Sequence, residues 1–500
     1  SQADGTWGEW YDLDVDEDIV AAEAGEVDED TGAESAGAGR PSAEPVWLDP
    51  VDEIEILVSS HGTDAADLVT AHVMTTSPTQ AELSQGSRTF SSSSSSLAST
   101  SSRVDTGPNG PTVISRSAWG ATESWTRGTS SAEALRGVVL HHTAGTNGYS
   151  RASSPQIVRG ILSHHTRTLG WADIGYNVLV DRFGQIFEGR KGGLHRNIIG
   201  AHALGFNTGT FGISVMGNHQ STQASAAARE AVMSIAAWKL NSTFHVNANQ
   251  AASWTVGVDG TRWSKGTVRK LPRFFAHRDV NFTDCPGNAL YGGIDNLRWG
   301  INTRIESSTW RNHYLAFRDG GGASRLGTVT HGARTEGSYT VTRLTKGIVV
   351  SGSGKSARAR ETTASFLSNW SSDWGRPMAH VRQDGDRVVQ AFDKGVAARE
   401  NGRNRFMTRH FADVSPTNAF FLEIGDLSGR GITRGWPDNT FRPLNNCRRD
   451  EMIVFLYRAM GSPRFTPPRT SPYTDVSTRA EFYKAITWAR SKGYAMGWKE

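Results

Sequence analysis

The sequence predicts an α/β fold class, in which a mixed β-sheet with flanking helices is followed by small repeat units and a helical region. Short β-branched runs alternate with amphipathic helical patterns between residues 111 and 305. Two internal repeats follow, one with a constant offset of 48 residues and one with a constant offset of 62. No apolar stretch reaches the roughly 18 residues of a transmembrane helix, so we predict no membrane span.

The chain opens with an acidic segment, residues 1–83, for which we predict partial β structure. Part of a strand alternation runs through residues 51–58, and a disordered acidic tail is the alternative. We expect Ser1 to lie inside a domain, with any signal peptide already removed or absent. Residues 84–110 contain an unbroken serine run at 91–96 and are predicted to form a flexible linker.

Residues 111–305 form the predicted mixed α/β domain. The helical spacing of Ile157 and Ile161 after Pro155 is typical of a helix, because proline suits the first helical turn. In chain order, the patterns predict a strand at 138–140, a helix at 155–168, a β-hairpin at 177–181 and 185–188, a strand at 211–216 and a helix at 224–240.

The repeats occupy the remainder of the chain. Residues 306–408 contain two copies of the 48-residue repeat, in which Gly337 recurs as Gly385. Residues 409–500 contain the 62-residue repeat, in which FADV recurs as YTDV, and a helix is predicted at 450–460. The second copy stops before the segment that continues the first copy, so we expect a truncated or proteolysed chain.

Charge is distributed unevenly along the chain. Residues 1–60 hold 18 Asp and Glu against one basic residue, whereas the other 440 residues hold 52 basic and 32 acidic side chains. A segment with this excess of basic residues attracts polyanions, either nucleic acid or an anionic cell-wall polymer. No aromatic-and-basic recognition motif accompanies the charge, so we predict no nucleic acid as partner, and a wall polymer explains the charge equally well. With only Cys285 and Cys447, a disulfide-rich scaffold is excluded.

Two histidines and a cysteine are candidate metal ligands. Alternation along the predicted strand points His141 and His142 to opposite faces, and a short loop joins His277 to Cys285. Zinc accepts imidazole nitrogen and thiolate sulfur, and three such ligands leave one position open, as in catalytic zinc sites. The alternative is that the histidines are scattered by chance and Cys285 is a small core residue.

Residues 111–305 resemble the peptidoglycan recognition protein family, the zinc N-acetylmuramoyl-L-alanine amidases. Seven segments in the same order carry the resemblance. They are ISRSAWG at 114–120, VVLHHTA at 138–144, SHHTRTLGWADIGYN at 163–177, VDRFGQIFEGR at 180–190, GAHALGFN at 200–207, GISVMGN at 212–218 and HRDVNFTDCPG at 277–287. The resemblance implies the family's fold and peptidoglycan as the partner.

The resemblance also implies residue roles. His141, His277 and Cys285 match the positions of the family's zinc ligands, so the implied cofactor is Zn²⁺. The implied reaction is hydrolysis, by zinc-activated water, of the amide bond between the lactyl group of N-acetylmuramic acid and L-alanine. A non-catalytic peptidoglycan-binding protein of the same fold is the alternative.

Three further residues are predicted to be catalytic, of which Tyr176 matches the tyrosine implied in catalysis and His202 matches a residue that lines the family's substrate groove. Tyr176 is the implied oxyanion donor, and His202 is a candidate to relay a proton to the departing amine. Thr283 stands where phage-type members have Lys, which leaves the proton shuttle open. The implied substrate contacts are His142, Trp171 and Asn207.

The 62-residue repeat resembles the S-layer homology family through FADV at 411–414, GITRGWPDNTFRP at 431–443 and DEMIVFLYRAM at 450–460. The resemblance implies anchoring to a secondary cell-wall polymer, with Arg434 as the anion contact; a helical repeat that binds nothing is the alternative. The 48-residue repeat is similar to LGFP repeats of actinobacterial wall proteins. Together these resemblances imply a secreted, wall-associated protein of a Gram-positive, actinobacterial cell.

Overall fold

The structure is a computed structural model that describes residues 102–107, 110–307, 311–352 and 355–497. The predicted acidic segment at 1–83 and most of the predicted linker at 84–110 lie outside these ranges. The chain divides into two compact units, Ser1–Thr345 and Lys346–Glu500.

The first unit contains eleven described strands. They are β1 (Arg103–Val104), β2 (Val113–Ile114), β3 (Gly137–His142), β4 (Val178–Val180), β5 (Ile186–Glu188), β6 (Thr210–Val215), β7 (Ala251–Thr255), β8 (Val268–Pro272), β9 (Phe274–Ala276), β10 (Val329–Glu336) and β11 (Tyr339–Leu344). Seven of them form one sheet in the order β1-β2-β5-β4-β6-β3-β9. Because β3 pairs in parallel with β6 and β9 while β4 and β5 form the predicted antiparallel hairpin, the sheet is mixed, as predicted. β7 and β8 pair as a separate antiparallel hairpin, as do β10 and β11.

The first strand lies where the serine-rich composition predicts a linker. Arg103 and Val104 pair antiparallel with Ile114 and Val113, so the folded domain begins before the predicted boundary at residue 111. The indole nitrogen of Trp238 also donates to the carbonyl of Thr106 at 2.7 Å. Strand pairing uses backbone N–H and C=O groups, and every residue except proline has both. The amino-acid composition therefore gave no indication that β1 pairs with β2.

The first unit also contains seven α-helices among its described residues. They are α1 (Arg116–Trp119), α2 (Ser154–Ser163), α3 (Ala226–Ser242), α4 (Asn288–Tyr291), α5 (Ile294–Ser307), α6 (Arg311–Asp319) and α7 (Gly322–Leu326). α2 has Pro155 in its first turn and continues as a π-helical turn at His164–Thr168, so the predicted helix at 155–168 is present. Ser225 caps α3 by accepting a hydrogen bond from the amide of Ala228 at 3.0 Å.

The sheet is buried on both faces, and the alternation of its strands decides which side chains reach which layer. Val138 and Leu140 of β3 pack in one apolar cluster with residues of α3 and α5. Leu179 of β4 and Phe187 of β5 point the other way and pack against α2. Each large apolar side chain buried in these layers contributes about 1.5–3 kcal/mol. His141 follows Leu140 and therefore lies on the face opposite α3.

The second unit contains six strands and four helices within its described residues. They are β12 (Gly347–Gly352), β13 (Lys355–Glu361), α8 (Ala364–Asn369), β14 (Arg382–Asp384), β15 (Arg387–Phe392), β16 (Gly395–Glu400), β17 (Arg403–Thr408), α9 (Phe421–Gly429), α10 (Arg449–Ala459) and α11 (Tyr483–Ser491). β12 pairs with β13, and β14 to β17 pair in sequence, all antiparallel. The predicted helix at 450–460 is α10.

Both internal repeats correspond to repeated elements. The bounds of β11 and β12 recur in β15 and β16 with an offset of 48 residues, and those of α9 recur in α11 with an offset of 62. Gly435 and its counterpart Gly497 both have positive φ angles, of 63° and 81°, a conformation that favours glycine. None of the helices in the described ranges combines the length and apolar character needed to cross a lipid bilayer.

Candidate metal centre

His141 lies at the carboxyl end of β3, a strand buried along its whole length. β3 pairs in parallel with both β6 and β9, so the three strands end at the same edge of the sheet. His277 directly follows β9 and is thereby placed beside His141, with 4.5 Å between the two ring centroids. Parallel pairing thus brings together two histidines that are far apart in the sequence.

A short, hydrogen-bonded loop returns Cys285 to the same point. Asp279 accepts a hydrogen bond from the amide of Ala276 at 2.8 Å, which closes the turn that carries His277. The carbonyl of Cys285 accepts from the amide of Arg278 at 3.0 Å, and its own amide donates to the hydroxyl of Thr283 at 3.1 Å. These bonds fix the loop, because each one satisfies a backbone group near the buried thiol.

The nitrogen and sulfur donors of His141, His277 and Cys285 lie within 4.8 Å of one another, and all three residues are buried. The Cys285 Sγ is 3.6 Å from Nδ1 of His141. Zinc–nitrogen bonds of about 2.0–2.1 Å and zinc–sulfur bonds of about 2.3 Å at tetrahedral angles require roughly 3.5 Å between such donors. The donor set and the 3.6 Å distance between Cys285 Sγ and His141 Nδ1 therefore fit a zinc ion, and the group has three members among the described residues.

The surroundings favour the ligating forms of these side chains. The backbone amide of His142 points at the Cys285 Sγ, 3.4 Å away, and a hydrogen bond to sulfur favours the thiolate over the thiol. Burial lowers the pKa of His141 well below its usual range, and the neighbouring His277 lowers it further. Burial lowers the pKa of His202 to about 3. The imidazoles of His141 and His202 are therefore neutral at neutral pH, as metal coordination by His141 requires.

His202 contacts the metal centre in a way that the sequence did not predict. Its Nδ1 lies 3.0 Å from Nε2 of His141, and its own Nε2 is buried, with no hydrogen-bond partner in the described parts of the chain. A proton relay to a departing amine needs a nitrogen that reaches the substrate. Neither nitrogen of His202 is exposed in the described structure, and its relay role stays a prediction.

The other two predicted catalytic residues lie close to the centre. The Tyr176 ring is buried, and its centroid is 5.3 Å from that of the His141 ring. Thr283 is half-buried, and its hydroxyl accepts from the Cys285 amide, so it shapes the ligand loop. Their catalytic roles stay predictions.

The predicted substrate contacts have different surroundings. The His142 ring is buried, and its Nδ1 accepts from the amide of His219 at 3.1 Å. The Asn207 side chain is also buried, and its oxygen accepts from the amide of His202 at 2.8 Å. Trp171 is half-buried and packs on His165, with 4.6 Å between ring centroids. Trp171 thus keeps an exposed surface for a ligand, whereas the ring of His142 and the amide of Asn207 are occupied by backbone groups.

Two glycines near the metal centre were not predicted from the sequence to have a role there. A Cβ atom at Gly212 would lie 2.5 Å from Cδ2 of His202, and one at Gly200 would also collide with that ring. Both glycines fall inside segments that carry the family resemblance, and that was their only signal in the sequence.

In the second unit, the predicted anion contact Arg434 is exposed.

Two separate regions of the chain match known protein families. Residues 131–288 match the N-acetylmuramoyl-L-alanine amidase family, and residues 410–453 match the S-layer homology domain. The chain is 33% identical to peptidoglycan-recognition protein SC2 of Drosophila melanogaster over 185 residues, which cover 37% of this chain and 85% of that protein.

Two further similarities concern the same region. Human N-acetylmuramoyl-L-alanine amidase is 33% identical over 124 residues, covering 25% of this chain and 17% of that protein. The solved structure of wild-type Drosophila PGRP-LB is 25% identical, with a TM-score of 0.29, and covers 39% of this chain and 98% of that one. The chain therefore belongs to the peptidoglycan recognition protein family, through an amidase-type domain that is followed by an S-layer homology domain.

Proposed function

We propose that the protein is a zinc-dependent N-acetylmuramoyl-L-alanine amidase, which hydrolyses the bond between the lactyl group of N-acetylmuramic acid and L-alanine in peptidoglycan. The observation that carries the proposal is the buried cluster of His141, His277 and Cys285, whose donor atoms lie within 4.8 Å of one another, with Cys285 Sγ 3.6 Å from Nδ1 of His141. A domain that only recognises peptidoglycan has no need of a buried thiol between two imidazoles. The match to the amidase family supports the same reaction.

The residues around the cluster supply what amide hydrolysis requires. Bound zinc would polarise the amide carbonyl and lower the pKa of a coordinated water. His141, His277 and Cys285 would hold the metal, and the His142 amide donates to the Cys285 sulfur. The Tyr176 hydroxyl is the proposed donor to the oxyanion that develops when the carbonyl is attacked. Thr283 keeps the ligand loop in place through its bond to the Cys285 amide.

The second unit is proposed to keep the enzyme at its substrate. The S-layer homology match supports non-covalent binding to a secondary cell-wall polymer. Arg434 is exposed in that segment and suits bidentate contact with an anionic group. The proposed location is outside the cell, at the wall of a Gram-positive and actinobacterial cell.

The experiment compares stem-peptide release from purified peptidoglycan by the wild-type protein, Cys285→Ser and Cys447→Ser, with bound zinc measured in each sample. We expect the wild type and Cys447→Ser to carry zinc and to release peptides that begin with L-alanine, because Cys447 is an exposed free thiol outside the cluster. Cys285→Ser and the chelated wild type should release almost none. Equal release by Cys285→Ser, or binding of peptidoglycan without release by the zinc-loaded wild type, would contradict the proposal.

A further inference from the structure

We infer that His202 is a positioning residue for the zinc ligand His141, and that its unprotonated Nδ1 fixes the tautomer and the ring orientation of that ligand. The inference rests on the proposed zinc site. It assigns to His202 a role that is exerted through His141.

The direction of the hydrogen bond follows from the two nitrogens of His141. Its Nδ1 is 3.6 Å from the Cys285 Sγ and faces the donor cluster, so this nitrogen carries the lone pair that a metal needs. A neutral imidazole keeps its one proton on the other nitrogen. Nε2–H of His141 therefore donates to Nδ1 of His202, 3.0 Å away, and His202 carries its own proton on Nε2.

The chain holds the His202 ring from several sides. The side-chain oxygen of Asn207 accepts from the amides of His202 and Ala203, at 2.8 and 2.9 Å, and fixes the backbone on which the ring is carried. Gly200 and Gly212 leave a slot for the ring, since a Cβ atom at either position would collide with it.

Gly212 is itself fixed in the sheet. It lies on β6 opposite Val139 of β3, and its amide donates to the side-chain oxygen of Asn177 at 2.8 Å. The slot is thus lined by β6, the strand that pairs with the strand of His141.

An acceptor behind a metal-bound histidine has a known physical effect. It prevents the ring from adopting the other tautomer, holds the ring plane toward the metal and raises the basicity of the ligating nitrogen. Loss of such a partner typically weakens metal binding by about 10- to 100-fold. The effect requires an acceptor at the Nδ1 position of His202 and needs no titration of that ring.

Two substitutions with the same functional group separate this role from simple packing. In His202→Asn the amide oxygen can occupy the place of Nδ1, whereas in His202→Gln the amide lies one bond further, near the place of Nε2. Zinc affinity of the apo protein is measured by competition with a chromophoric chelator, and the visible spectrum of the cobalt-substituted protein reports the ligand geometry. We expect His202→Asn to bind zinc within about threefold of the wild type and His202→Gln to bind about 10- to 100-fold more weakly.

Gly212→Ala is a second route to the same result. The added methyl group displaces the His202 ring without removing any polar group, so we expect a similar loss of zinc affinity and an altered cobalt spectrum. Thermal unfolding of the apo proteins shows whether each variant folds. If His202→Gln does not fold, the zinc affinity of Gly212→Ala is compared with that of the wild type instead. If Gly212→Ala does not fold either, the inference still requires His202→Asn to retain near-wild-type zinc affinity.

Several outcomes would overturn the inference. Wild-type zinc affinity in His202→Gln or Gly212→Ala contradicts it, as does a loss of affinity in His202→Asn equal to that in His202→Gln. Loss of peptide release with unchanged zinc affinity would make His202 a substrate-contacting residue instead. Failure of the proposed function is distinguishable, because the wild-type protein itself would then bind no zinc or release no stem peptide.

Discussion

At the scale of the residue, Tyr176 allows metal binding to be separated from chemistry. Its ring lies 5.3 Å from that of His141, centroid to centroid, and Tyr176 is not one of the three proposed zinc ligands. We expect Tyr176→Phe to lower kcat by about a hundredfold, since one oxyanion donor is removed, and to leave the zinc content unchanged. Peptide release under saturating substrate and zinc analysis of the same sample check both parts. A variant with undiminished kcat would remove Tyr176 from the proposed mechanism.

The residue types indicated the candidate zinc ligands, but they did not indicate the groups that hydrogen-bond to those ligands. The metal-ligand chemistry of His141, His277 and Cys285 is visible in the sequence, because imidazole and thiolate are specific zinc donors. The support given by the His142 amide is not visible, because every residue except proline has that group. The contact of His202 with His141 is not visible in the sequence either, since it depends on segments that meet only in the fold.

At the scale of the element, helix α6 supplies a test of acid stability. Its His313 is buried, Nδ1 lies 3.1 Å from the hydroxyl of Thr342 on β11, and burial lowers its pKa to about 4. Between about pH 6.5 and 4 the unfolded chain binds a proton at this residue and the folded chain does not, so stability falls as the pH falls through this window. The loss at His313 amounts to about 3 kcal/mol over the window.

Urea unfolding of the wild type and His313→Asn at several pH values measures this effect. We expect the variant to be less stable at pH 7 but to lose less stability on acidification, because Asn does not titrate. Parallel pH profiles for the two proteins would show that His313 does not contribute to the acid sensitivity.

The elements also show where periodicity is informative. Ile157 and Ile161 predicted α2, and the hairpin of β4 and β5 appears where glycine and alternation predicted it, because these patterns are local. β1 was missed, since a two-residue edge strand in a serine-rich stretch has no periodicity to detect.

At the scale of the whole molecule, the S-layer homology segment is expected to retain the protein on the wall. Arg434 and Arg430 are both exposed and lie four residues apart, so they form a matched pair of test and control. We expect Arg434→Ala to reduce co-sedimentation with purified walls that retain their secondary polymer by about tenfold, and Arg430→Ala to leave it unchanged. Equal retention of both variants would contradict the assignment of Arg434, and the same retention on walls stripped of the polymer would contradict the partner.

The sequence by itself determined the order of the parts, the repeat lengths, the main helices and strands, and the three residues that cluster as metal donors. These features are recorded in local patterns: apolar periodicity, constant offsets and the few residue types that bind zinc. Only the tertiary structure placed Nδ1 of His202 3.0 Å from Nε2 of His141, 61 residues away, and brought the His142 amide to a sulfur 143 residues away. Those contacts arise from parallel strand pairing and from space left by glycines, and neither leaves a local pattern in the chain.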